Sequence, residues 1–470
     1  MVTAMKHTCP LRVATLFLSF SLLLALLSPA LAADSAAPPV IAAKAAILMD
    51  ADSGDLLYEL NGDTPLYVAG LTVMMTALLA SEAVERGEAA YADVVTASST
   101  SHSDLSADAS IQNIVPGESM SLENLMYCAL VGGAADACNI IAEHVAGSLS
   151  AFVSRMNDRA AELGCTNTHF VNTHGLPSEQ HYATAHDMAR IAAAFTSHTE
   201  LMDIANTLSR EIPATNVAEP RYLTSANYLL RTDYTRYYYS YASGIKSSHT
   251  EIAGYCLASA VKASDSYVVS IVLGCQQVES DSGFFDVQSF VQTKKLFQWF
   301  FENYSLRDVV NPIEPVMEVP LTMGEGMDAV VVCAKTGLSL FLPNDLALDE
   351  HYTRSISIYS QQPGKQPLTA PVSQGQVLGE MTVTADSGQV YGPFYLVANT
   401  DVAVSRMELM KQRVKDTLSS KWFLLGCLGL VLVFGLYIAF VVRYNLVRAR
   451  RRRALRESDE NAVRTIPRKK

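Results

Sequence analysis

One hydrophobic segment near the C-terminus limits what this chain can fold into. Residues 422–442 are 21 consecutive residues without a charged side chain. At a helical rise of about 1.5 Å per residue they would cross about 30 Å, the thickness of the hydrocarbon core of a bilayer. Six arginines follow between Arg443 and Arg453. Because arginine-rich segments stay on the cytoplasmic side, we expect a single-pass membrane protein with a cytoplasmic tail at residues 443–470 and its body outside the cell.

The N-terminus has the pattern of a secretory signal over residues 1–32. Lys6 and Arg12 precede an uncharged apolar run, and Ala30 and Ala32 supply the small residues of a cleavage site. The apolar run is short for a membrane span, which disfavours an uncleaved anchor. Export by this signal agrees with a body on the outer face of the cell membrane.

The charge of the body excludes one class of partner. Residues 33–442 contain 22 basic and 44 acidic residues. A body this acidic repels nucleic acid and anionic wall polymers, so we expect no nucleic-acid partner.

The cysteines of the body indicate neither a metal site nor a cofactor. They are scattered and form no C-x-x-C pair: Cys128, Cys138, Cys165, Cys256, Cys275 and Cys333. Cys256 and Cys275 are about equally distant from a predicted turn at residues 264–266 and could face each other across a hairpin. A bridge therefore remains open, although buried free thiols are the favoured interpretation.

Apolar patterning predicts mixed strands and helices between residues 45 and 301. Strands at 45–49 and 56–60 flank a turn and predict a hairpin, and residues 252–274 predict two apolar strands around a second turn. Ser121 carries a helix-capping signature. Further helices are expected over residues 71–84, 136–145, 187–195 and 288–301.

From about residue 316 the pattern changes to short strands. They are expected at residues 329–333, 338–342, 355–359, 376–385 and 391–398. Strands of this length, separated by turn residues, indicate a small β-sandwich over residues 316–400. Residues 401–421 would then be a juxtamembrane helix that leads into the span.

An ordered set of short motifs resembles the serine D-alanyl-D-alanine carboxypeptidases, the low-molecular-mass penicillin-binding proteins. The resemblance covers roughly residues 42–401. It rests on the segments at residues 47–54 (ILMDADSG), 116–118 (PGE), 122–130, 136–137 (DA), 142–148 (AEHVAGS), 172–176 (NTHGL), 184–189 (TAHDMA), 244–246 (GIK), 253–256 (AGYC), 370–372 (APV) and 375–379 (GQVLG).

The resemblance implies an α/β fold class. A penicillin-binding, β-lactamase-like transpeptidase domain, with an antiparallel sheet flanked by helices, would occupy residues 33–305. A small all-β sandwich domain at residues 316–400 and one C-terminal transmembrane helix at residues 422–442 would follow.

The first catalytic motif of that family is altered here. The family's S-x-x-K places a nucleophilic serine and a basic lysine one helical turn apart. Members usually have A-S-L-T-K-x-M-T, whereas residues 69–76 of this chain are AGLTVMMT. Gly70 therefore stands where the serine is expected, and Val73 stands where the lysine is expected.

The second and third motifs are also changed. Gly133 and Ala135 stand at the ends of the expected S-x-N motif. Lys246, Ser247 and Ser248 stand where K-T-G, the strand that holds the substrate carboxylate, is expected. Ser247 can supply the hydroxyl of the threonine, but Ser248 adds a side chain where glycine lets a ligand lie close to the strand.

Literal matches to the motifs also occur elsewhere in the chain, and chance occurrence is the favoured explanation for them. Lys335-Thr336-Gly337 lies in the predicted β-domain, and Ser225-Ala226-Asn227 is out of the family's order. Ser243 and Lys246 have S-x-x-K spacing, but on a strand they point to opposite faces.

Other side chains offer no evident replacement for the missing groups. Thr72 and Thr76 are the nearest hydroxyls, and neither has a base within a helical turn. No lysine occurs at residues 45–245. His144 and His174 could act as bases, but their neighbours match scaffold positions of the family, so helix packing or loop anchoring is favoured.

Three hypotheses follow. The first is a non-catalytic, peptidoglycan-binding or regulatory pseudoenzyme, in which Lys246, Ser247 and Ser248 hold the D-Ala-D-Ala end of a stem peptide by charge-assisted hydrogen bonds; Lys246 could also be only a strand-end charge. The second is an active D-Ala-D-Ala carboxypeptidase with relocated catalytic groups. The third is a structural protein whose cleft has filled and whose acidic face binds an unidentified basic partner. Because Gly70, Gly133, Ala134 and Ala135 are all small, we expect an open cavity.

Overall fold

The computed structural model describes residues 37–107, 109–280 and 283–464. The predicted signal at residues 1–32 lies outside this part of the chain. The chain divides into two compact units. The first unit ends at Arg307 and also takes up Ser339–Ala347, and the second consists of Asp308–Leu338 and the chain from Leu348 onward.

The first unit contains both strands and helices. Its strands are β1 (Ala45–Asp50), β2 (Leu56–Leu60), β3 (Val94–Thr96), β4 (Ser119–Ser121), β5 (Ser209–Ile212), β6 (Arg221–Thr224), β7 (Ala242–Thr250), β8 (Gly254–Ala263), β9 (Ser266–Cys275), β10 (Gln277–Glu279) and β11 (Phe285–Val287). A 3₁₀ turn (Ala69–Thr72) precedes the helices, which are α1 (Val73–Glu85), α2 (Leu122–Leu130), α3 (Ala135–Ala146), α4 (Leu149–Glu162), α5 (Ala185–Thr196), α6 (Thr199–Ala205) and α7 (Gln288–Asn303).

The main sheet of this unit is antiparallel. Its order is β2-β1-β9-β8-β7, so β7 lies at an edge and pairs only with β8 within the described chain. The predicted hairpin is confirmed by the pairing of β1 with β2, and the two predicted apolar strands are confirmed by the pairing of β8 with β9. A penicillin-binding-like α/β fold is therefore present, as the resemblance implied.

The two faces of the sheet bury alternate residues of the same strand. Ile47 and Met49 of β1 belong to the large core that the helices between residues 73 and 205 share. Ala46 and Leu48 face the other way, where they belong to the clusters that contain Leu296 and the phenylalanines of α7. Since side chains alternate along a strand, this two-sided burial explains the unbroken apolar sequence of β1.

Helix starts follow their capping residues. The hydroxyl oxygen of Ser121 accepts a hydrogen bond from the backbone N–H of Asn124 at 3.2 Å, which confirms the predicted cap of α2. Helix α1 is buried from Val73 to Ala83, in agreement with its apolar residues on nearly every side. This buried helix fixes the position of Gly70 and Val73 at its start.

The second unit is mainly β up to its two C-terminal helices, with one short helix and one 3₁₀ turn among its strands. The elements from the end of the first unit onward are β12 (Tyr304–Val310), β13 (Pro315–Pro320), β14 (Ala329–Ala334), β15 (Leu338–Pro343), α8 (Leu348–His351), β16 (Tyr352–Ile358), a 3₁₀ turn (Tyr359–Gln361), β17 (Val377–Ala385), β18 (Val390–Ala398), α9 (Arg406–Ser419) and α10 (Lys421–Arg464). Its sheet has the order β13-β14-β18-β17-β16, with antiparallel pairs throughout.

One strand departs from the expected grouping. The strand expected at residues 338–342 forms as β15, but it pairs with β12 and not with the sheet of the second unit. Phe341 gives the physical reason, because its ring lies 5.3 Å from the ring of Phe300 in α7 and is buried in the same cluster. Tertiary packing therefore decides where this strand belongs.

The C-terminal helices agree with a membrane anchor. The hydroxyl of Ser405 caps α9, the expected juxtamembrane helix. Helix residues Lys421–Arg456 are long and apolar enough to cross a membrane, with a mean hydropathy of 2.7 in their most apolar window. The helix contains the predicted span at residues 422–442.

Candidate functional site

All seven site residues predicted from the motifs line one cavity in the first unit. This main cavity has a volume of about 520 Å³. The predicted residues on its walls are Gly70, Val73, Gly133, Ala135, Lys246, Ser247 and Ser248. The expectation of an open cavity at these small residues is confirmed.

Ser248 fills the place of a side chain at position 70. The backbone N–H of Gly70 donates a hydrogen bond to Ser248 Oγ at 2.9 Å. A Cβ atom on residue 70 would lie 2.7 Å from the same Oγ, closer than real Cβ contacts allow. A side chain at position 70 would therefore require the Ser248 hydroxyl to rotate away and to give up its hydrogen bond with the Gly70 N–H.

The chain before α1 holds a backbone conformation that is unusual for its residue type. Ala69 has φ of 49°, in the left-handed region. The hydroxyl of Thr72 donates to the carbonyl oxygen of Ala69 at 3.0 Å, and a Cβ atom on Gly175 would lie 1.9 Å from that carbonyl oxygen. Glycine is thus required at 175, where the chain passes close to the carbonyl oxygen of Ala69.

Val73 gives the helix side of the cavity an apolar surface. It is 2% exposed and lies one helical turn after Gly70. A lysine there would place its amine next to the missing hydroxyl, whereas valine offers no proton acceptor. The helix wall therefore contributes a backbone N–H and no titratable group.

Lys246 is a buried cation on the strand wall. It is 6% exposed, and its Nζ donates to the carbonyl oxygens of Ala129 at 3.0 Å and Leu130 at 2.6 Å. These carbonyls end α2, where the helix dipole favours a positive charge. Burial lowers the pKa of Lys246 to about 8. In the described chain no carboxylate forms an ion pair with it, which leaves an ammonium with two of its three N–H bonds used.

Beside Gly133 there is space for a group that could accept a hydrogen bond from the third N–H of Lys246. A Cβ atom on Gly133 would lie 3.5 Å from Nζ, and Gly133 has φ of 66°. The missing side chain thus leaves the space beside the ammonium open to the main cavity. Ala135 follows, where its N–H donates to the carbonyl oxygen of Ser110 at 2.8 Å and ties a second cavity-lining segment in place.

Asp136 anchors that segment and does not face the cavity. Its carboxylate is fully buried and accepts hydrogen bonds from the backbone N–H groups of Gln112, Ile114 and Ala137 at 3.1, 2.9 and 3.0 Å. A buried carboxylate that accepts three backbone hydrogen bonds stabilises the fold.

One hydroxyl–imidazole pair lies near the cavity, and sequence patterning missed it. His181 Nε2 lies 2.9 Å from Thr72 Oγ1, although 109 residues separate the two in the chain. The N–H of Val171 donates to His181 Nδ1 at 3.3 Å, so Nε2 carries the proton and donates to Thr72 Oγ1. Burial, together with the charges of two other histidines, lowers the pKa of His181 to about 4. The neutral ring is a donor here and cannot take the threonine proton.

The two histidines considered from the sequence anchor loops. His174 is 5% exposed, and its Nε2 lies 3.1 Å from Asp104 Oδ2 while Nδ1 accepts from the N–H of Leu176 at 3.2 Å. His144 Nε2 lies 3.1 Å from Asp93 Oδ2 at the end of α3. Loop anchoring, the favoured interpretation, agrees with these contacts.

In the literal motif matches elsewhere, the side chains of Ser225, Asn227 and Ser243 form hydrogen bonds with other parts of the fold. Asn227 Nδ2 donates to the carbonyl oxygen of Gly244 at 2.6 Å, and Ser225 Oγ accepts from the N–H of Asn227. Ser243 Oγ contacts the amide of Asn206, away from Lys246 Nζ. Lys335-Thr336-Gly337 follows β14 in the second unit.

The cysteines of the described residues are free thiols. Cys256 and Cys275 are both buried, and β8 and β9 place Tyr255, not Cys256, opposite Cys275. Burial raises the pKa of Cys256 to about 11 and that of Cys275 to about 12, which makes both thiols poor nucleophiles. Among the described residues, no cluster of histidine, cysteine and carboxylate side chains could hold a metal ion.

Comparison with known proteins identifies relatives over most of the chain. The sequence model of the D-alanyl-D-alanine carboxypeptidase family matches residues 32–277. The D-alanyl-D-alanine carboxypeptidase DacF of Bacillus subtilis is 26% identical over 360 residues, which are 77% of this chain and 86% of that protein. DacC of Escherichia coli, with the same description, is 29% identical over 348 residues, 73% of this chain and 80% of that protein.

Solved structures share the fold. Penicillin binding protein 5 from Haemophilus influenzae superposes with a TM-score of 0.58 at 27% identity, covering 78% of this chain and 99% of that chain. A peptidoglycan synthesis regulatory factor (PBP3) from Streptococcus pneumoniae superposes with a TM-score of 0.58 at 24% identity, covering 77% and 100%. The shared fold and the order of the motifs thus indicate the same protein family.

Proposed function

Since the chain belongs to the D-alanyl-D-alanine carboxypeptidase family, we propose that it is a membrane-anchored, non-catalytic member that binds the D-Ala-D-Ala end of peptidoglycan stem peptides. Its relatives are described as carboxypeptidases of this dipeptide, and the present chain has the same fold around an open cavity. The proposal separates two properties of such a site, recognition and bond cleavage.

The contact between Gly70 and Ser248 carries the non-catalytic part of the proposal. Cleavage through an acyl-enzyme needs a hydroxyl beside a base. The cavity-lining hydroxyls belong to Ser110, Thr224, Ser247, Ser248 and Thr250. In the described chain none of them forms a hydrogen bond with a lysine or histidine side chain. The N–H of Gly70, which could bind a developing oxyanion, is occupied by Ser248 Oγ.

The buried ammonium of Lys246 supports the binding part. A cation without a carboxylate partner, at the wall of an open cavity, attracts an anionic group. The terminal carboxylate of D-Ala-D-Ala is such a group, and the hydroxyl of Ser247 on the same strand can donate a second hydrogen bond to it. The carboxylate would lie beside Gly133, where a side chain is missing.

The C-terminal helix supports a membrane anchor for this site. We propose that residues 422–442 span the cell membrane, that the folded units lie on the extracytoplasmic side, and that the arginine-rich residues 443–470 remain in the cytoplasm. Such an anchor would keep the binding site close to the wall polymer.

Cysteine labelling of intact cells tests this topology. Gln374 lies in an exposed loop of the second unit, and Arg456 is exposed in the helix beyond the span. A thiol probe that does not cross the membrane should label Gln374→Cys and should not label Arg456→Cys. Labelling of Arg456→Cys alone would reverse the proposed orientation.

Two measurements on the purified full chain in detergent test the function. Incubation with a fluorescent penicillin should leave no covalent adduct, and incubation with a D-Ala-D-Ala-ended peptide should release no D-alanine. Immobilised D-Ala-D-Ala muropeptides should retain the protein, and Lys246→Ala should reduce retention. A penicillin adduct would instead establish the alternative, an active carboxypeptidase with relocated catalytic groups.

A further inference from the structure

The second unit has a cavity of its own, with a volume of about 310 Å³. This β-domain cavity lies between the start of β17 and the chain that follows β16. Its polar lining consists mainly of uncharged amides and hydroxyls, which belong to Ser360, Gln366, Thr369 and Gln376. Among the described residues, Lys365 is the one charged side chain in the lining. A cavity of this size can hold a small molecule or one group of a larger ligand.

Hydrogen bonds hold both walls of the β-domain cavity in place. On the loop side, the backbone N–H of Thr322 donates to the carbonyl oxygen of Leu368 at 2.9 Å. On the strand side, the backbone N–H of Ala398 donates to the carbonyl oxygen of Gln376 at 2.9 Å. A site with fixed walls loses little conformational entropy when it binds a ligand.

Two exposed tyrosines and a carboxylate lie beside this cavity. Tyr395 of β18 is 48% exposed and pairs with Glu380 of β17, so the two side chains share a face of the sheet. The next pair, Met381 and Phe394, is buried on the opposite face. Tyr359 lines the cavity and is 37% exposed. Partial desolvation, followed by the charges of Glu380 and Tyr395, raises the pKa of Tyr359, so the three side chains form one surface, the tyrosine surface.

The chemistry of this surface favours a neutral sugar over a peptide or an anionic polymer. Along residues 379–384, β17 pairs with β16 on one side and with β18 on the other, so it offers no free edge to an extended peptide. The charged side chains of the cavity and the tyrosine surface are Lys365 and Glu380, which balance each other and give no net attraction for an anionic polymer. Exposed aromatic rings beside uncharged amides suit a ligand with apolar ring faces and neutral hydroxyl and amide groups. A pyranose sugar with an acetamido group has this chemistry.

We propose that the tyrosine surface and the β-domain cavity bind the glycan strand of the wall polymer, a chain of N-acetylated pyranose sugars. The rings of Tyr359 and Tyr395 cover the apolar faces of sugar rings, and Glu380 accepts hydrogen bonds from sugar hydroxyls. One acetamido group enters the cavity, where the side-chain amide of Gln366 donates to its carbonyl oxygen. This site goes beyond the proposed function, which concerns only the peptide part of the polymer at Lys246.

Titration of the full chain with a tetramer of β-1,4-linked N-acetylglucosamine, followed by ligand-observed NMR, tests the glycan site. The protein is kept in a detergent without a sugar headgroup, because such a headgroup would compete for the site. We expect a Kd on the order of 1 mM, as for a small and partly exposed site. The β-1,4-linked glucose tetramer, which lacks acetamido groups, should bind about three- to tenfold more weakly, because the hydrogen bonds in the cavity are lost.

Single substitutions assign the binding to the tyrosine surface. Tyr359→Ala and Tyr395→Ala should each weaken binding of the acetylated tetramer about three- to tenfold, because a ring that covers a sugar is lost. Tyr359→Phe keeps the ring and should bind the tetramer nearly as well as the unaltered chain. Tyr222→Ala, at a tyrosine of the first unit that is 76% exposed, is the matched control and should change nothing.

The outcomes distinguish the glycan site from the proposed function. Lys246→Ala should bind the acetylated tetramer as the unaltered chain does, since the two sites lie in different units. Absence of tetramer binding, or equal affinity of the unaltered chain and both alanine variants of the tyrosine surface, would overturn the glycan site and leave the peptide-end site intact. Equal affinity for the acetylated and the plain tetramer would overturn the assignment of the cavity to an acetamido group.

Discussion

The two walls of the main cavity present different chemical groups to a ligand. The helix wall, with Gly70 and Val73, offers only a backbone N–H, and Ser248 already occupies that donor. The strand wall keeps an ammonium at Lys246 and the hydroxyl of Ser247. In an acyl-transfer site the helix wall performs the chemistry and the strand wall holds the ligand. On the proposed function, recognition and cleavage depend on different elements of the fold and can therefore be altered separately.

Rebuilding the helix wall should have the largest effect. We expect Gly70→Ser combined with Val73→Lys and Ser248→Gly to form a covalent adduct with fluorescent penicillin, where the unaltered chain forms none. The nucleophile of a serine hydrolase is worth on the order of 10⁶-fold in turnover, so even a poorly positioned hydroxyl should raise labelling by about 10³-fold or more. Gel fluorescence after denaturation measures the adduct.

The single and double variants separate the effect of the added catalytic groups from the effect of the close contact with Ser248. Gly70→Ser alone should remain unlabelled, because Val73 supplies no base and Ser248 Oγ, 2.7 Å from the new Cβ atom, would have to move to admit the side chain. Gly70→Ser with Val73→Lys retains that clash and is the matched control for the triple variant. Labelling of the unaltered chain would contradict the comparison between the two walls.

Removing the cation from the strand wall should have the next largest effect. Lys246→Met leaves the carbonyl oxygens of Ala129 and Leu130 without their donor, which should lower the free energy of unfolding by about 1–3 kcal/mol. Binding of a D-Ala-D-Ala peptide should weaken by about tenfold or more, since a charge-assisted contact is lost. Denaturant unfolding and calorimetry measure the two quantities.

Lys262→Met is the matched control for this variant. Lys262 lies on the adjacent strand β8 and is exposed, so its loss should change the free energy of unfolding by less than about 0.5 kcal/mol. Equal peptide affinity in Lys246→Met and Lys262→Met would show that Lys246 only caps α2.

The pKa of Lys246, which burial lowers to about 8, predicts how binding depends on pH. Only the protonated amine attracts a carboxylate, so the affinity for the peptide end should fall above pH 8, approaching tenfold per pH unit. Stability should change in the opposite direction. Between pH 8 and the ordinary lysine pKa, the unfolded chain binds more protons than the folded chain, so the contribution of Lys246 to stability rises with pH. Peptide titrations from about pH 6.5 to about pH 9.5 measure the first effect, and a flat profile would remove Lys246 from the site.

Sequence patterning predicted part of the first unit, including β1, β2 and the pair β8 and β9, and the resemblance to the family predicted seven residues that line the main cavity. The apolar residues of β1, β8 and β9 and the cap at Ser121 determine local structure. Long-range contacts have no such signal. Ser248 and Gly70 are 178 residues apart, and Thr72 and His181 are 109 residues apart. The pairing of β15 with β12 likewise depends on where Phe341 packs.

Lys246 is another residue whose long-range contacts the sequence did not predict. The K-T-G resemblance predicted its position on the cavity wall, but not that its Nζ would donate to the carbonyl oxygens of Ala129 and Leu130. Those carbonyls come from a helix that ends 116 residues earlier in the chain. The contacts by which Lys246 stabilises the end of α2, as distinct from its proposed role in binding, therefore became visible only in three dimensions.

The smallest expected effect concerns the contact between the two walls. Ser248→Ala removes the acceptor of the Gly70 N–H, which should cost about 1 kcal/mol of stability, because the donor is then satisfied only by water. The freed N–H can instead donate to a carbonyl oxygen of a bound peptide, so affinity for the D-Ala-D-Ala end should rise by about threefold, as calorimetry would measure. Ser247→Ala, on the same strand, should lower affinity and is the matched control. If Ser248→Ala weakened binding as Ser247→Ala does, the hydroxyl of Ser248 would belong to the ligand site, and the strand wall would hold the peptide with both serines.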